Sequence, residues 1–281
     1  MSTQLLDGKK IADGIRAQIR TDLQRSGVAP GLAVLLVGND PASHLYVSLK
    51  EKAAKEVGIH FEKYLFFAAT PEAELIQKIL ELNRRTDIHG ILVQVPLPDP
   101  LSEDRLIAAI DPKKDADGFH PKNIDALLAG ITTIVPSVIR GILALIEATH
   151  VPLAGKHAII LANSFAFAQP IRKMLTDCNV STDIDRSTTS PGDVGLHHPE
   201  MCTYDIVITA RGIPKSVTPD MVKEGAIVID VGTTLVDGKI RGDVHPDVAK
   251  KSGWLTPVPG GVGPMTVAYL LRNVVDASLS G

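Results

Sequence analysis

Cysteine is scarce in this 281-residue chain: Cys178 and Cys202 are the only two. They form neither a CxxC pair nor a zinc-binding spacing, so a disulfide framework and a metal site are not expected, and the thiols read as reduced and structural. An excess of one charge is also missing. Lys and Arg number 29 against 32 Asp and Glu, a net charge of −3. That balance leaves no electrostatic footprint for a nucleic acid or an acidic membrane. No apolar run approaches the roughly 20 residues of a membrane-spanning helix. The opening residues hold no basic segment leading into an apolar stretch, so no secretory signal is expected. Internal repeats and low-complexity tracts are lacking too. The expectation is a soluble cytoplasmic protein. Its 44% hydrophobic and 22% charged residues are ordinary for a globular chain with a sizeable core.

Apolar runs alternate with helical patterns along the whole chain, the signature of βαβ units around a parallel sheet. Residues 9–24 have helical periodicity, and 31–37 read as a buried strand. Asp40 and Pro41 open a helix that Gly58 ends. Strands are expected at 61–67 and 90–95, helices at 70–83 and 102–110. Residues 138–149 read as a helix linking two domains. A second set of units follows: strands at 156–161, 180–184, 205–209 and 226–230, a helix at 165–177, and a short helix near Pro219. Residues 187–201 read as mostly loop, and 265–277 as the last helix.

Four stretches carry candidate chemistry. Pro257-Val258-Pro259-Gly260-Gly261-Val262-Gly263-Pro264-Met265-Thr266 is too rich in Gly and Pro for a helix or strand, and makes a rigid, bare-backbone loop suited to a flat ligand. It also suits a tight structural connector. Tyr46 and Lys50 lie four apart on one helix face just past a strand end, where ligand crevices of parallel sheets form. A partly desolvated lysine there is a usable acid or base, although a surface lysine fits the spacing as well. Gln94 is an amide in an otherwise apolar strand and must find a partner or cost roughly 1–3 kcal/mol. Asp115 and Asp117 precede Gly118, a pattern for a turn that presents one acid inward; such an acid grips two N–H donors of a 2-amino-pyrimidinone edge, or simply closes an Asx turn.

Taken together, Tyr46-x-x-x-Lys50, the run from Gly90 through Gln94 to Pro98, Lys114-Asp115-Ala116-Asp117-Gly118 and the Gly/Pro loop resemble the bifunctional methylenetetrahydrofolate dehydrogenase/cyclohydrolase family. The matches keep their order nearly end to end. The resemblance implies hydride transfer from 5,10-methylenetetrahydrofolate to a nicotinamide cofactor, then hydrolysis of the methenyl cation to 10-formyltetrahydrofolate. It implies Lys50 as the acid/base group, Gln94 as its tuning partner, Tyr46 packed on the folate, and Asp117 on the pterin edge. Pro259, Gly260, Gly261 and Val262 would lie beside the substrate. A homodimer is also implied.

The dinucleotide half departs from the family. Its Gly-x-Ser-x-x-x-Gly-x-Pro loop reads Ala162-Asn163-Ser164-Phe165-Ala166-Phe167-Ala168-Gln169-Pro170. Alanine forced into left-handed geometry costs roughly 1–2 kcal/mol, so a weakened phosphate site is expected. The family's Pro-Cys-Thr-Pro reads Pro136-Ser137-Val138-Ile139, and its Val-Gly-x-Pro reads Arg211-Gly212-Ile213-Pro214. Ala162, Asn163, Ser164, Arg186, Gly212, Gly232 and Thr233 are the candidate cofactor-binding residues. Asp185 and Arg186 end the strand where an acid selects a ribose 2′-hydroxyl and an arginine a 2′-phosphate; NADP is expected, with NAD as the alternative.

The expectation is therefore an α/β chain of two domains. Residues 1–138, completed by a C-terminal helix at 263–281, would hold folate. A Rossmann-like parallel-sheet domain at 139–262 would hold the dinucleotide, with the active site in the cleft between them. Two other functions stay open: a monofunctional cyclohydrolase with a decayed cofactor site, and a folate-binding protein without turnover. Lys50 and Gln94 speak against the second, since binding alone needs no acid/base pair.

Overall fold

The computed structural model describes residues 3–186 and 201–280, so the expected loop at 187–201 lies outside the described residues except for Met201. In chain order the elements are β1 (Gln4–Leu5), α1 (Gly8–Ser26), β2 (Gly31–Val37), α2 (Pro41–Val57), β3 (His60–Phe66), α3 (Glu72–Arg84), β4 (Gly90–Val93), α4 (Glu103–Ala109) and α5 (Pro121–Leu128). There follow α6 (Ser137–Glu147), β5 (His157–Ala162), α7 (Phe165–Asp177), β6 (Ser181–Asp185), β7 (Ile206–Ala210), β8 (Ile227–Asp230), β9 (Thr234–Val236), β10 (Lys239–Arg241), β11 (Trp254–Leu255) and α8 (Val262–Leu279).

Two compact units result: Ala12–Ser137 with Val267–Gly281, and Met1–Ile11 with Val138–Thr266. The opening residues thus fall with the later half of the sequence, which differs from the expected boundary. The reason is strand pairing. Gln4 and Leu5 lie in parallel register with Trp254 and Leu255, a two-residue strand too short to show as an apolar run.

The first unit is built on a three-stranded parallel sheet in the order β3-β2-β4. All seven residues of β2 are buried, as befits a central strand covered on both faces. Its side chains alternate between two cores. Leu32, Val34 and Leu36 join Val47, Ala54, Leu270 and Val274; Ala33, Leu35 and Val37 join Leu75, Ile79 and Leu106. α2 starts where Asp40 accepts the Ser43 N–H at 2.7 Å, and ends at Gly58 with φ 91°. β4 stops at Val93, two residues short of expectation, which leaves Gln94 just beyond the strand end.

The second unit holds a six-stranded parallel sheet in the order β1-β11-β8-β7-β5-β6, beside the antiparallel pair β9–β10. From β5 the chain goes outward to β6, then returns to β7 on the other side of β5. The order reverses there, and ligands of open parallel sheets bind at the carboxyl ends of the strands flanking such a point. The β9–β10 hairpin was not expected, although its connection is Asp237-Gly238 with φ 50° and 72°, the double positive φ of a tight two-residue turn. α8 begins at Val262 rather than at residue 265. Pro264 then falls in the first turn, where its missing N–H removes no helical bond.

Candidate active site

In the first unit α2 carries Tyr46 and Lys50 on one face, one turn apart. The Lys50 ammonium nitrogen donates to Gln94 Oε1 at 2.7 Å. Gln94 is itself fixed, because its Nε2 donates to the Val95 carbonyl at 2.6 Å, so the amide oxygen is the atom left for lysine. Burial lowers the Lys50 pKa below the usual ammonium range, and the nearby Asp117 charge opposes that shift. Gln94 is buried, while Tyr46 and Lys50 are half-buried. Lys50 and Gln94 therefore meet just past the end of β4, with Tyr46 one turn before Lys50 on α2.

The two aspartates divide their roles. Asp115 is the turn acid: it accepts N–H groups of Gly118 at 3.0 Å and His120 at 2.7 Å, and the Asn123 amide at 3.2 Å. Burial raises its pKa. The turn is docked on β4 by the Ala116 N–H donating to Ile91 O. Gly118 sits at φ 87°, with Pro136 so close that a Cβ would meet it at 2.6 Å. Asp117, half-buried, is left facing outward from this turn, and Ser137 Oγ donates to its Oδ1 at 2.6 Å. Ser137 stands where the family has cysteine; its role as a donor to Asp117 was not anticipated.

The Gly/Pro loop lies in the second unit. Gly261 N–H closes it by donating to Pro257 O at 2.8 Å, and Lys9 N–H donates to Gly260 O at 3.0 Å. Thr256 and Gly8 crowd Gly261 so closely that no Cβ fits at Gly261 or Gly8. Of the four residues expected beside the substrate, Gly261 and Val262 are buried in this packing, while Pro259 and Gly260 present surface.

The strand-end site of the second unit is a cavity of about 300 Å³ lined by Asn163, Ala210, Arg211, Gly212, Gly232 and Thr233 among others. Ser164 caps α7, its Oγ accepting the Phe167 N–H. Asn163 Nδ2 donates to Arg211 O at 2.6 Å. Arg186 is exposed and stacks over Phe165 with its guanidinium 5.5 Å from the ring centre. The expected strain in the phosphate loop is not found. Ala162 ends β5 and Ala168 lies inside α7; both are wholly buried, and neither is among the residues with positive φ. Their methyl groups are covered by the fold, so they do not project into the strand-end cavity, whose lining includes neither residue.

Two acids hold this site, in stretches the resemblance retains, Asp230-Val231-Gly232-Thr233-Thr234 and Gly242-Asp243-Val244, to which the sequence alone assigns no role. Asp243 is fully buried, and its Oδ2 accepts from Thr209 Oγ1, Arg211 N–H and Gly212 N–H at 3.0, 2.7 and 3.2 Å. Asp230 Oδ1 accepts the N–H groups of Gly232 and Asp243, and its Oδ2 that of Val244. Burial pushes the Asp230 pKa up to about 6. The available signal was an acid beside glycine in two short loops, Asp230-Val231-Gly232 and Gly242-Asp243. Among the described residues, no cluster of His, Cys, Asp and Glu could hold a metal ion.

Known proteins share this arrangement. Residues 6–117 match the family described as tetrahydrofolate dehydrogenase/cyclohydrolase, catalytic domain, and residues 136–280 match its NAD(P)-binding domain. The bifunctional protein FolD of Moorella thermoacetica is 45% identical over 283 residues, covering 99% of both chains. The crystal structure of the bifunctional FolD enzyme of Campylobacter jejuni superposes with a TM-score of 0.92 at 38% identity, covering 99% of each chain. That of Trypanosoma brucei, complexed with NADP and an inhibitor, gives 0.91 at 30% identity, covering 100% of this chain and 98% of the other. With both halves matched in order and along nearly its whole length, the chain belongs to the tetrahydrofolate dehydrogenase/cyclohydrolase family.

Proposed function

We propose that the protein is an NADP-dependent methylenetetrahydrofolate dehydrogenase and methenyltetrahydrofolate cyclohydrolase. The observation that carries this reading is the Lys50–Gln94 pair, a buried amine of lowered pKa held at 2.7 Å by a fixed amide oxygen. Relatives named as bifunctional FolD, and a related structure in complex with NADP, support it.

Hydrolysis of the methenyl substrate needs a base for water. The water oxygen bonds to the carbon between N5 and N10 as Lys50 takes its proton. That proton then passes to N5 as the C–N5 bond breaks, and the remaining hydroxyl proton leaves through Lys50 to solvent as its oxygen becomes the carbonyl of the formyl group on N10, so the charge of the cation departs as one proton. Burial favours the neutral amine, and the positive charge of the substrate pushes the same way. Gln94 fixes the direction of Nζ by accepting one N–H. Tyr46 offers a flat face for the folate, and Asp117 two oxygens for its N–H edge.

The strand-end cavity fits an anionic dinucleotide. It combines the bare backbone of Gly212 and Gly232 with a buried Arg211 guanidinium that is paired with Asp185 and whose Nε has no acceptor among the described residues. Asn163, Ser164, Arg186, Gly212, Gly232 and Thr233 would hold NADP, which accepts the hydride of the methylene carbon when bound. The buried alanines remove the reason to regard the site as decayed, so a monofunctional cyclohydrolase is not favoured.

An absorbance assay of methylenetetrahydrofolate oxidation with NADP and with NAD, run beside a methenyl hydrolysis assay, tests the reading. Both activities are expected, with NADP preferred. Hydrolysis without oxidation by either dinucleotide would restore the monofunctional alternative.

A second copy of the chain is the partner this reading implies. β3 is an edge strand of its sheet, and Leu65 and Phe67 at its end are 61% and 83% exposed, with Leu45 and Leu49 of α2 also exposed. An unpaired strand edge with apolar side chains is a pairing surface. Sedimentation checks it: a Phe67→Asp variant that leaves the oligomeric state unchanged argues against this face. A cytoplasmic location suits the two cysteines, which are thiols rather than a disulfide.

A further inference from the structure

We infer that Arg211 sets the choice between the two nicotinamide dinucleotides, by neutralising Asp185. The inference rests on the reading of the six-stranded unit as the NADP site.

Asp185 is the last residue of β6, the strand beside β5 that leads into the phosphate loop. An acid at this point hydrogen-bonds a ribose 2′-hydroxyl and repels a 2′-phosphate. Here the acid is already engaged. Its Oδ2 accepts from Arg211 Nη2 at 2.7 Å, with the arginine side chain 3% and the aspartate side chain 10% exposed. β6 and β7 flank β5 on opposite sides, so the arginine that follows β7 reaches across the carboxyl end of β5 to the acid that ends β6.

The reach is built in. The Arg211 N–H is held by Asp243 Oδ2 at 2.7 Å, and its carbonyl by Asn163 Nδ2 at 2.6 Å. Main chain clamped on both sides aims the side chain one way. Arg211 Nε keeps a buried donor without an acceptor, so the pair offers more donor capacity than the carboxylate takes up. Arg186, next in sequence, is exposed over Phe165. With Asp185 paired to Arg211, the exposed charge of Arg186 at the strand end suits a phosphate dianion. By the resemblance, this arginine takes the place of a valine in the family's Val-Gly-x-Pro stretch.

Calorimetric titration with NADP and with NAD tests this, using the unmodified protein, Arg211→Val, and Arg211→Val combined with Asp185→Asn. The unmodified protein prefers NADP. In Arg211→Val the carboxylate loses this guanidinium and its charge acts on the 2′-phosphate, so NADP binding weakens by about tenfold or more while NAD binding holds or tightens. The double variant, without the acid, recovers NADP binding to within about threefold. An NADP-to-NAD ratio in Arg211→Val that stays within twofold of the unmodified protein overturns the inference, as does a double variant that fails to recover. Should Arg211→Val not fold, as its melting curve reports, Asp185→Asn is compared with the double variant. Equal NADP affinity supports the inference, and a tenfold difference overturns it, because Arg211 would then act on the phosphate itself. An unmodified protein that binds neither dinucleotide overturns the NADP reading instead.

Discussion

In the three-stranded unit the chemistry rests on side chains that touch: Lys50 on Gln94, Ser137 on Asp117, and Asp115 beneath the turn that presents Asp117. In the six-stranded unit the charged side chains turn inward. Asp230 and Asp243 hold main-chain N–H groups, and what they offer to the cavity is backbone at Gly212 and Gly232. The difference teaches that one unit is organised for proton transfer, which needs a specific side chain, and the other for holding bare-backbone loops in shape, since the Gly212 and Gly232 N–H groups are themselves taken by Asp243 and Asp230. Loss of a side chain in the first removes chemistry; in the second it removes the support of a loop.

The largest effect that sharpens this comparison is at Lys50. Lys50→Met lowers methenyl hydrolysis roughly 10²–10⁴-fold and costs only about 1–3 kcal/mol of stability, because the buried Gln94 Oε1 loses its donor while the helix position itself accepts an apolar chain. The unmodified hydrolysis rate rises as pH climbs through the lowered Lys50 pKa, because the neutral amine is the base; near-normal turnover by the variant would take Lys50 out of this role. Next is Asp243→Ala, which strands buried donors on Thr209, Arg211 and Gly212 and costs about 3 kcal/mol of stability. NADP affinity falls with it while hydrolysis persists in the folded fraction. If calorimetry finds the NADP affinity unaltered, the acid is not what holds the loop.

A smaller effect belongs to Asp117→Ala. Loss of a charge-assisted pair of roughly 1.5–3 kcal/mol raises the folate KM about 10- to 100-fold and leaves NADP binding within twofold. A folate KM that stays put would reduce Asp117 to a turn residue. The smallest effect is that of Ala162→Gly with Ala168→Gly. The helical glycine alone costs about 1 kcal/mol of stability, and NADP binding gains less than twofold because both methyl groups are buried. Marked tightening would show that the alanines do obstruct the ligand.

How much of this could be read in advance follows from what each feature needs. Residues 31–37 and 165–177 were legible to the residue, the first as a continuous apolar run, the second as a helix between Ser164 and Cys178. Gln94 stood out as the one polar group in an apolar strand, whereas Lys50 and Asp117, which alone fit a surface lysine and an Asx-turn acid, were singled out only through the resemblance. β1 and β11 were not, since two residues carry no periodicity and gain their strand geometry from partners about 250 positions away. The roles of Asp243 and Ser137 depend on tertiary partners 32 and 20 residues distant. The error over Ala162 and Ala168 came from treating a family glycine as evidence of left-handed backbone; at these two sites the chain runs through ordinary strand and helix.

The pairing of Gln4 and Leu5 with Trp254 and Leu255 also bears on how the protein is made. A ribosome releases the partner of this first strand only when some nine-tenths of the chain has been synthesised, and Leu270, Leu271, Val274 and Val275, which complete a core around β2, emerge later still. Both units therefore wait for the last segment of the nascent chain. Partial cores stay exposed during translation, where shielding by chaperones matters most, and a ribosome that stalls before residue 250 leaves neither half finished.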